Sequence, residues 1–191
     1  MSFDKITVVI NTFHSEDKIN RCLDSVPSKY KVIIIENSNN TKFKTDLEKK
    51  YSNVECFLSG QNLGYAKGNN LGLSKVKTQF ALILNPDAIL KSQAIENFLA
   101  SAEKLNDFSI IGPAKQNEFS EDKDSNFKEE LTQVDRLKGF AMFLNLHDLK
   151  DIGYFDENFF IYLEETDLCK RIRKENKKIY LDKKIKIDHF G

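Results

Sequence analysis

Short, unbroken apolar runs recur along the first half of the chain. Between them lie stretches whose apolar residues repeat every three or four positions. Ile6, Thr7, Val8, Val9 and Ile10 form the first run, the pattern of a strand buried on both faces. Ile19, Cys22, Leu23 and Val26 follow at i, i+3, i+4 and i+7, which is one face of a helix. Ser15 is placed to cap that helix, and Pro27 to stop it. Val32 to Ile35 predicts a second strand, and Phe43, Leu47 and Tyr51 mark a second helix. A third strand is predicted over Val54 to Leu58, and a helix grows out of the Gly- and Asn-rich stretch 60–72. Phe80 to Leu84 predicts a fourth strand, Ile95, Phe98, Leu99 and Ala102 a helical stripe, and Phe108 to Ile111 a fifth strand.

After residue 114 the pattern changes. Residues 115–130 are polar, charged and aperiodic and predict a flexible loop. Beyond them, 138–146 reads as a strand. Leu168, Cys169 and Ile172 mark a helix over 164–176, and short strands are expected at 178–181 and 184–188. Strands alternating with helices predict an α/β fold with a mostly parallel central sheet flanked by helices. The 191 residues suit a single domain. Its parts are a strand–helix half (1–112), the loop, and a second half (131–191). Ligands of such sheets sit beyond the carboxyl ends of the strands, which directs attention to 11–14, 36–40, 59–70 and 85–87.

Charge narrows the function. Lys plus Arg equals Asp plus Glu at 29 each, so there is no bulk positive field of the kind that binds nucleic acid. No apolar run reaches the ~20 residues of a membrane span. The N-terminus lacks the basic and cleavage regions of a signal peptide. Cys22, Cys56 and Cys169 are far apart and form no metal-ligand spacing, which fits a reducing cytoplasmic setting.

Several segments carry candidate chemistry, each beside a plainer reading. Asn85-Pro86-Asp87 leaves a carboxylate at the sheet edge. With phosphates and water it suits Mn or Mg, or else it caps a strand-to-helix turn. Glu36 either accepts hydrogen bonds from a nucleoside or closes a polar turn. The stretch 62–70 (NLGYAKGNN) either brings its backbone close to a phosphate or packs a glycine-rich helix start on the sheet. It matches neither the Walker nor the dinucleotide-binding glycine pattern. Glu164, Glu165 and Asp167 are either acids favoured by a helix N-terminus or include a general base. His189 has a role only if the fold brings it to Asp87.

In order and spacing, these pieces resemble the family-2 glycosyltransferases of the GT-A fold. Residues 8–16 (VVINTFHSE), 33–39 (IIIENSN), 62–70, 84–87 (LNPD), 153–157 (GYFDE) and 159–171 (FFIYLEETDLCKR) match successive family segments. LNPD, in place of Asp-x-Asp, points to the rhamnosyltransferase-like branch. The resemblance implies that Thr12 and Glu36 contact the nucleoside and that Phe13 packs on the base or ribose. It implies that Asn62, Asn69, Asn70 and Asn85 line the nucleotide site, and that Asp87 and His189 hold a divalent metal. Glu165 would be the catalytic base and Glu164 its neighbour, with Arg171 either structural or on the diphosphate.

The implied reaction is inverting transfer of a sugar from a nucleotide-diphosphate donor, UDP- or dTDP-linked, to a hydroxyl of a glycan or lipid-linked acceptor. The implied setting is bacterial surface polysaccharide or glycoconjugate synthesis, in the cytoplasm or peripheral to the inner membrane. Glu36 and Glu165 stand where the family usually has Asp, and His14 where it has Asn. The alternative reading is therefore an inactive or truncated GT-A domain that binds nucleotide sugar as an assembly subunit. A nucleotidyltransferase and a flavodoxin-like binding module are the other rivals.

Overall fold

The computed structural model describes residues 5–105, 107–113 and 129–190. The predicted 115–130 loop lies outside them apart from Glu129 and Glu130, as do residues 1–4 of the N-terminus. Strands β1 (Ile6–Thr12), β2 (Lys31–Glu36), β3 (Val54–Leu58) and β4 (Phe80–Leu84) alternate with helices α1 (Glu16–Ser25), α2 (Thr41–Lys50) and α3 (Gly64–Leu73). Then come β5 (Ala88–Leu90), α4 (Ala94–Lys104), β6 (Ile110–Pro113), β7 (Leu131–Gln133), β8 (Ala141–Asn145), α5 (Leu146–Leu149), α6 (Glu164–Lys174), β9 (Ile179–Asp182) and β10 (Ile187–His189). The main sheet runs β3-β2-β1-β4-β8-β6-β9-β7. β1 pairs in parallel with β2 and β4, β2 with β3, and β6 with β9. β8 is inserted antiparallel between β4 and β6.

The unbroken apolar strands are explained by cores on both faces of the sheet. In β1, Ile6, Val8 and Ile10 pack with Ile19, Cys22 and Leu23 of α1 and Phe98 of α4. Val9 points the other way, into a cluster with Ala66 and Leu73 of α3 and Leu168, Cys169 and Ile172 of α6. A period of two, with helices on both sides, leaves no polar face.

Several details differ from the sequence-based expectation. Ser15 does not cap α1 with its side chain. Its hydroxyl donates back to the Phe13 carbonyl at 3.2 Å, across His14, which adopts a left-handed φ of 49°. Asn40 is the helix-capping residue that the pattern did not reveal, accepting from Phe43 N at 3.0 Å on α2. β8 begins at Ala141 rather than 138, leaving Gly139 and Phe140 free to line the sheet edge. β5, β7 and α5 went unpredicted, being only three, three and four residues long. β5 matters most. It pairs antiparallel with β10 as a separate two-stranded ribbon, with His189 opposite Ala88.

Candidate active site

That ribbon brings the C-terminal histidine to the aspartate at the end of β4. His189 Nε2 lies 3.3 Å from Asp87 Oδ1 and 3.4 Å from Asn85 Nδ2. The imidazole stacks on Phe140, with centroids 4.6 Å apart and planes at 14°. Phe140 is itself held to the motif, its carbonyl accepting from Asn85 N at 2.9 Å. Lys18 of α1 reaches the other Asp87 oxygen, Oδ2, at 3.4 Å. His189 is the foremost cause holding the Asp87 carboxyl below the ordinary carboxylate range, against the opposing effect of burial, and Lys18 assists. The His189 contact has ion-pair distance without a well-formed hydrogen bond, so Oδ1 remains a buried acceptor with an unmet need. Cys22 lies underneath, its Sγ 3.5 Å from the Asn85 carbonyl oxygen, and burial pushes its thiol up to about 12.

One ionised carboxylate with an unsatisfied oxygen, together with one imidazole, fits a hard divalent cation whose remaining ligands are phosphate and water. Among the described residues, no group of three or more His, Cys, Asp or Glu forms a metal cluster. Asp87 and His189 would supply two ligands to such an ion, the remaining positions being filled by water or by a ligand's oxygens.

The residues expected on the nucleoside side divide in two. Phe13 is open, with 49% of its surface exposed. Thr12 and Glu36 are each 1% exposed. The Thr12 hydroxyl donates to the Ile35 carbonyl at 3.2 Å. Glu36 accepts from Ser38 N at 2.9 Å, from the Ser38 hydroxyl, and from Asn40 N at 2.6 Å. Both residues shape the edge from beneath, the plainer of the two readings for Glu36.

The glycine-rich segment likewise packs on the sheet. Asn11 Nδ2 donates to the Gly64 carbonyl at 2.9 Å, and Asn37 Nδ2 to Asn11 Oδ1 at 2.6 Å. A side chain at Gly68 would strike Asn11, and one at Gly72 would strike Val9. Asn62 closes the turn by accepting from Gly64 N at 3.0 Å. Asn69 is fully buried, donating to the Tyr65 carbonyl at 3.0 Å, and its Oδ1 has no partner. Asn70 clamps the 153–157 segment, donating to Phe155 O at 2.9 Å and accepting from Phe155 N at 3.1 Å.

The acidic pair sits at the start of α6, after two residues in left-handed conformation, Tyr162 (φ 69°) and Leu163 (φ 73°). Non-glycine residues in this region cost roughly 1–2 kcal/mol each, and such strain gathers where a site is held in place. Tyr65 anchors the approach. Its N–H donates to the Phe160 carbonyl at 2.7 Å and its hydroxyl to the Gly139 carbonyl at 2.6 Å. A side chain at Gly139 would touch Glu165 Cβ at 3.6 Å. Gly139 therefore adjoins Glu165 while its neighbour Phe140 supports His189, which links the acids to the Asp87 cluster.

Glu164 is 4% exposed and its Oε2 is buried without a partner. Burial, then the Glu165 charge, pushes its carboxyl up. Glu165 is half-buried and accepts from its neighbour Thr166 at 3.1 Å. Arg171 is structural, bound to Asp167 at 2.7 Å and to the carbonyls of Ile152, Gly153 and Tyr154.

Gly64 connects the two halves. It has φ +74°, and an added Cβ would collide with the Phe160 carbonyl oxygen and ring. Gly60, at φ +82°, has open space around it. Gly60→Ala should cost only the conformational strain, about 1–2 kcal/mol. Gly64→Ala should cost distinctly more, with Tm falling by roughly 2–4 °C per kcal/mol. Thermal unfolding of both variants is the check, and equal losses would discard the steric argument.

The α/β sheet, with its antiparallel insertion and a ligand edge carrying LNPD, defines a GT-A fold. A structure of GalNAc-T7 with UDP, GalNAc and Mn2+ superposes with a TM-score of 0.82 at 16% identity, covering 98% of this chain and 44% of that one. The description "Glycosyl transferase family 2" matches residues 7–167, and the chain belongs to that family. It is 26% identical to the low-salt glycan biosynthesis hexosyltransferase Agl10 of Haloferax volcanii, over 91% of this chain and 63% of that protein. It is 23% identical to rhamnosyltransferase WbbL of Escherichia coli K12, over 87% of this chain and 76% of that one. The chain thus spans less than two thirds of Agl10's length.

Proposed function

We propose that the protein transfers a sugar from a nucleotide-diphosphate donor, UDP- or dTDP-linked, to a hydroxyl of a glycan or lipid-linked acceptor. Inversion at the anomeric carbon and a role in surface polysaccharide or glycoconjugate assembly at the cytoplasmic face of the membrane belong to the same proposal. The observation that carries it is the Asp87–His189 contact, made because the β5–β10 ribbon brings these two side chains together. Phe13 offers its exposed ring to the base. Asn85 and His189 face the diphosphate beside Asp87. Asp87 and His189 would hold a divalent ion there, which would supply charge neutralisation for the departing nucleotide. Glu165 accepts the proton of the acceptor hydroxyl as that oxygen attacks the anomeric carbon. Among the described residues, no helix is long and apolar enough to cross a membrane.

A thermal-shift screen of UDP, dTDP, GDP and their sugars, with and without Mn2+, tests the donor class. At least one diphosphate nucleotide should raise Tm in a concentration-dependent, Mn2+-dependent way. No stabilisation by any of them would refute the proposal.

A further inference from the structure

Among the described residues, Lys18 is the cation seen on the Asp87 carboxylate besides His189, and nothing in the chain's local pattern calls for it there. It stands in the first turn of α1, after Glu16 and Asp17. A positive charge at that end of a helix opposes the helix dipole. Its partner is tertiary, 69 residues away in sequence, at 3.4 Å. The lysine side chain is 56% exposed, whereas the carboxylate is only 13% exposed. The anion is fixed and the cation is on a flexible stem. One turn further along α1, Arg21 lies over the Phe190 ring at 4.9 Å. Phe190 N in turn donates to the Asp87 carbonyl at 3.3 Å. This face of α1 therefore turns two cations towards the mouth of the Asp87–His189 cluster.

We propose that Lys18 is a displaceable internal cation of the diphosphate site. It balances Asp87 until a divalent ion takes the carboxylate, and its ammonium then pairs with the donor's diphosphate. The inference rests on the sugar-transfer reading and assigns a donor-binding role to a residue outside the strand-end motifs. The chemistry is direct. An ion pair of this length whose cation is solvent-exposed is easily exchanged, and Lys is a compact point charge with rotatable donors, suited to phosphate oxygens. The cluster provides one carboxylate against a diphosphate and a divalent ion together, so a further positive charge is needed for neutrality around the leaving group.

Calorimetric titration of wild type, Lys18→Met and Lys18→Arg tests this, first with MnCl2 alone and then with UDP, dTDP and GDP at saturating Mn2+. Lys18→Met should bind Mn2+ alone several-fold more tightly, because the competing ammonium is gone. It should bind the preferred nucleoside diphosphate roughly 10-fold more weakly, with the matching monophosphate changed much less. Lys18→Arg should keep most of the diphosphate affinity. Unchanged diphosphate binding in Lys18→Met overturns the inference alone, as does parallel weakening of Mn2+ and diphosphate, which would mark a merely structural role. Wild type that binds no diphosphate nucleotide overturns the sugar-transfer reading, and this inference with it.

Discussion

Asp87→Ala should weaken metal-dependent nucleotide binding on the order of 100-fold, about 2.8 kcal/mol at 1.4 kcal/mol per tenfold. The substitution removes the carboxylate in contact with His189, the only such one among the described residues, and it leaves an imidazole and a carboxamide, a poor set for a hard oxygen-seeking cation. Calorimetry with UDP or dTDP, with and without Mn2+, should show the loss confined to the metal-containing arm. The fold should hold, because Lys18 is exposed and His189 keeps its Phe140 stack. A pH scan adds a signed check. The folded carboxyl is depressed, so its contribution to stability is present above the unfolded value, near ~3.9, and is lost as pH falls through the folded value. Asp87→Ala should flatten that acid limb of the stability curve. Full Mn2+-dependent binding in the variant would move the metal site elsewhere.

Much of this site was legible because strand ends announce themselves. Five of the apolar runs end within a residue or two of the observed strands, and the rule that ligands lie beyond carboxyl ends points at 85–87 from the sequence alone. Glu36 shows the limit of that rule. Its position at the edge was correct, yet sequence could not tell whether the carboxylate faces outward or closes its own turn through Ser38 and Asn40. The glycines of 60–72 were ambiguous for the same reason. Close approach of a ligand and close approach of Asn11 or Val9 require the same missing side chain.

The features that escaped sequence reading are tertiary. β5 is three residues long, too short for periodicity, and its pairing with β10 joins residues about a hundred positions apart. That pairing is what makes His189 a partner of Asp87. Phe140 reads as one more apolar residue of a strand, although its ring supports the histidine. Lys18 carries no signal at all, since an exposed lysine on an amphipathic helix is ordinary. Tyr65 sits inside a glycine-rich segment, and only its bonds to Phe160 and Gly139 show that it ties the acid-bearing loop to α3.

Glu165→Gln should retain donor binding within about twofold and lose transfer by roughly 10²–10⁴, the usual contribution of a general base. The amide keeps the size of the side chain and can still accept from Thr166, so structure and donor contacts are preserved. Donor affinity by calorimetry and transfer by product formation separate the two effects. Glu164 is the informative control. Its raised carboxyl and unpartnered Oε2 are attributes of a base, but at 4% exposure an acceptor hydroxyl has little access to it. Glu165 is half-buried and adjoins Gly139, on the side that leads to His189. If Glu164→Gln loses transfer while Glu165→Gln keeps it, the base assignment passes to Glu164. If the wild type binds donor but neither transfers nor hydrolyses it, the assembly-subunit alternative is favoured. A product with retained anomeric configuration would reject single displacement altogether, because one carboxylate acting on the acceptor from the opposite face can give only inversion.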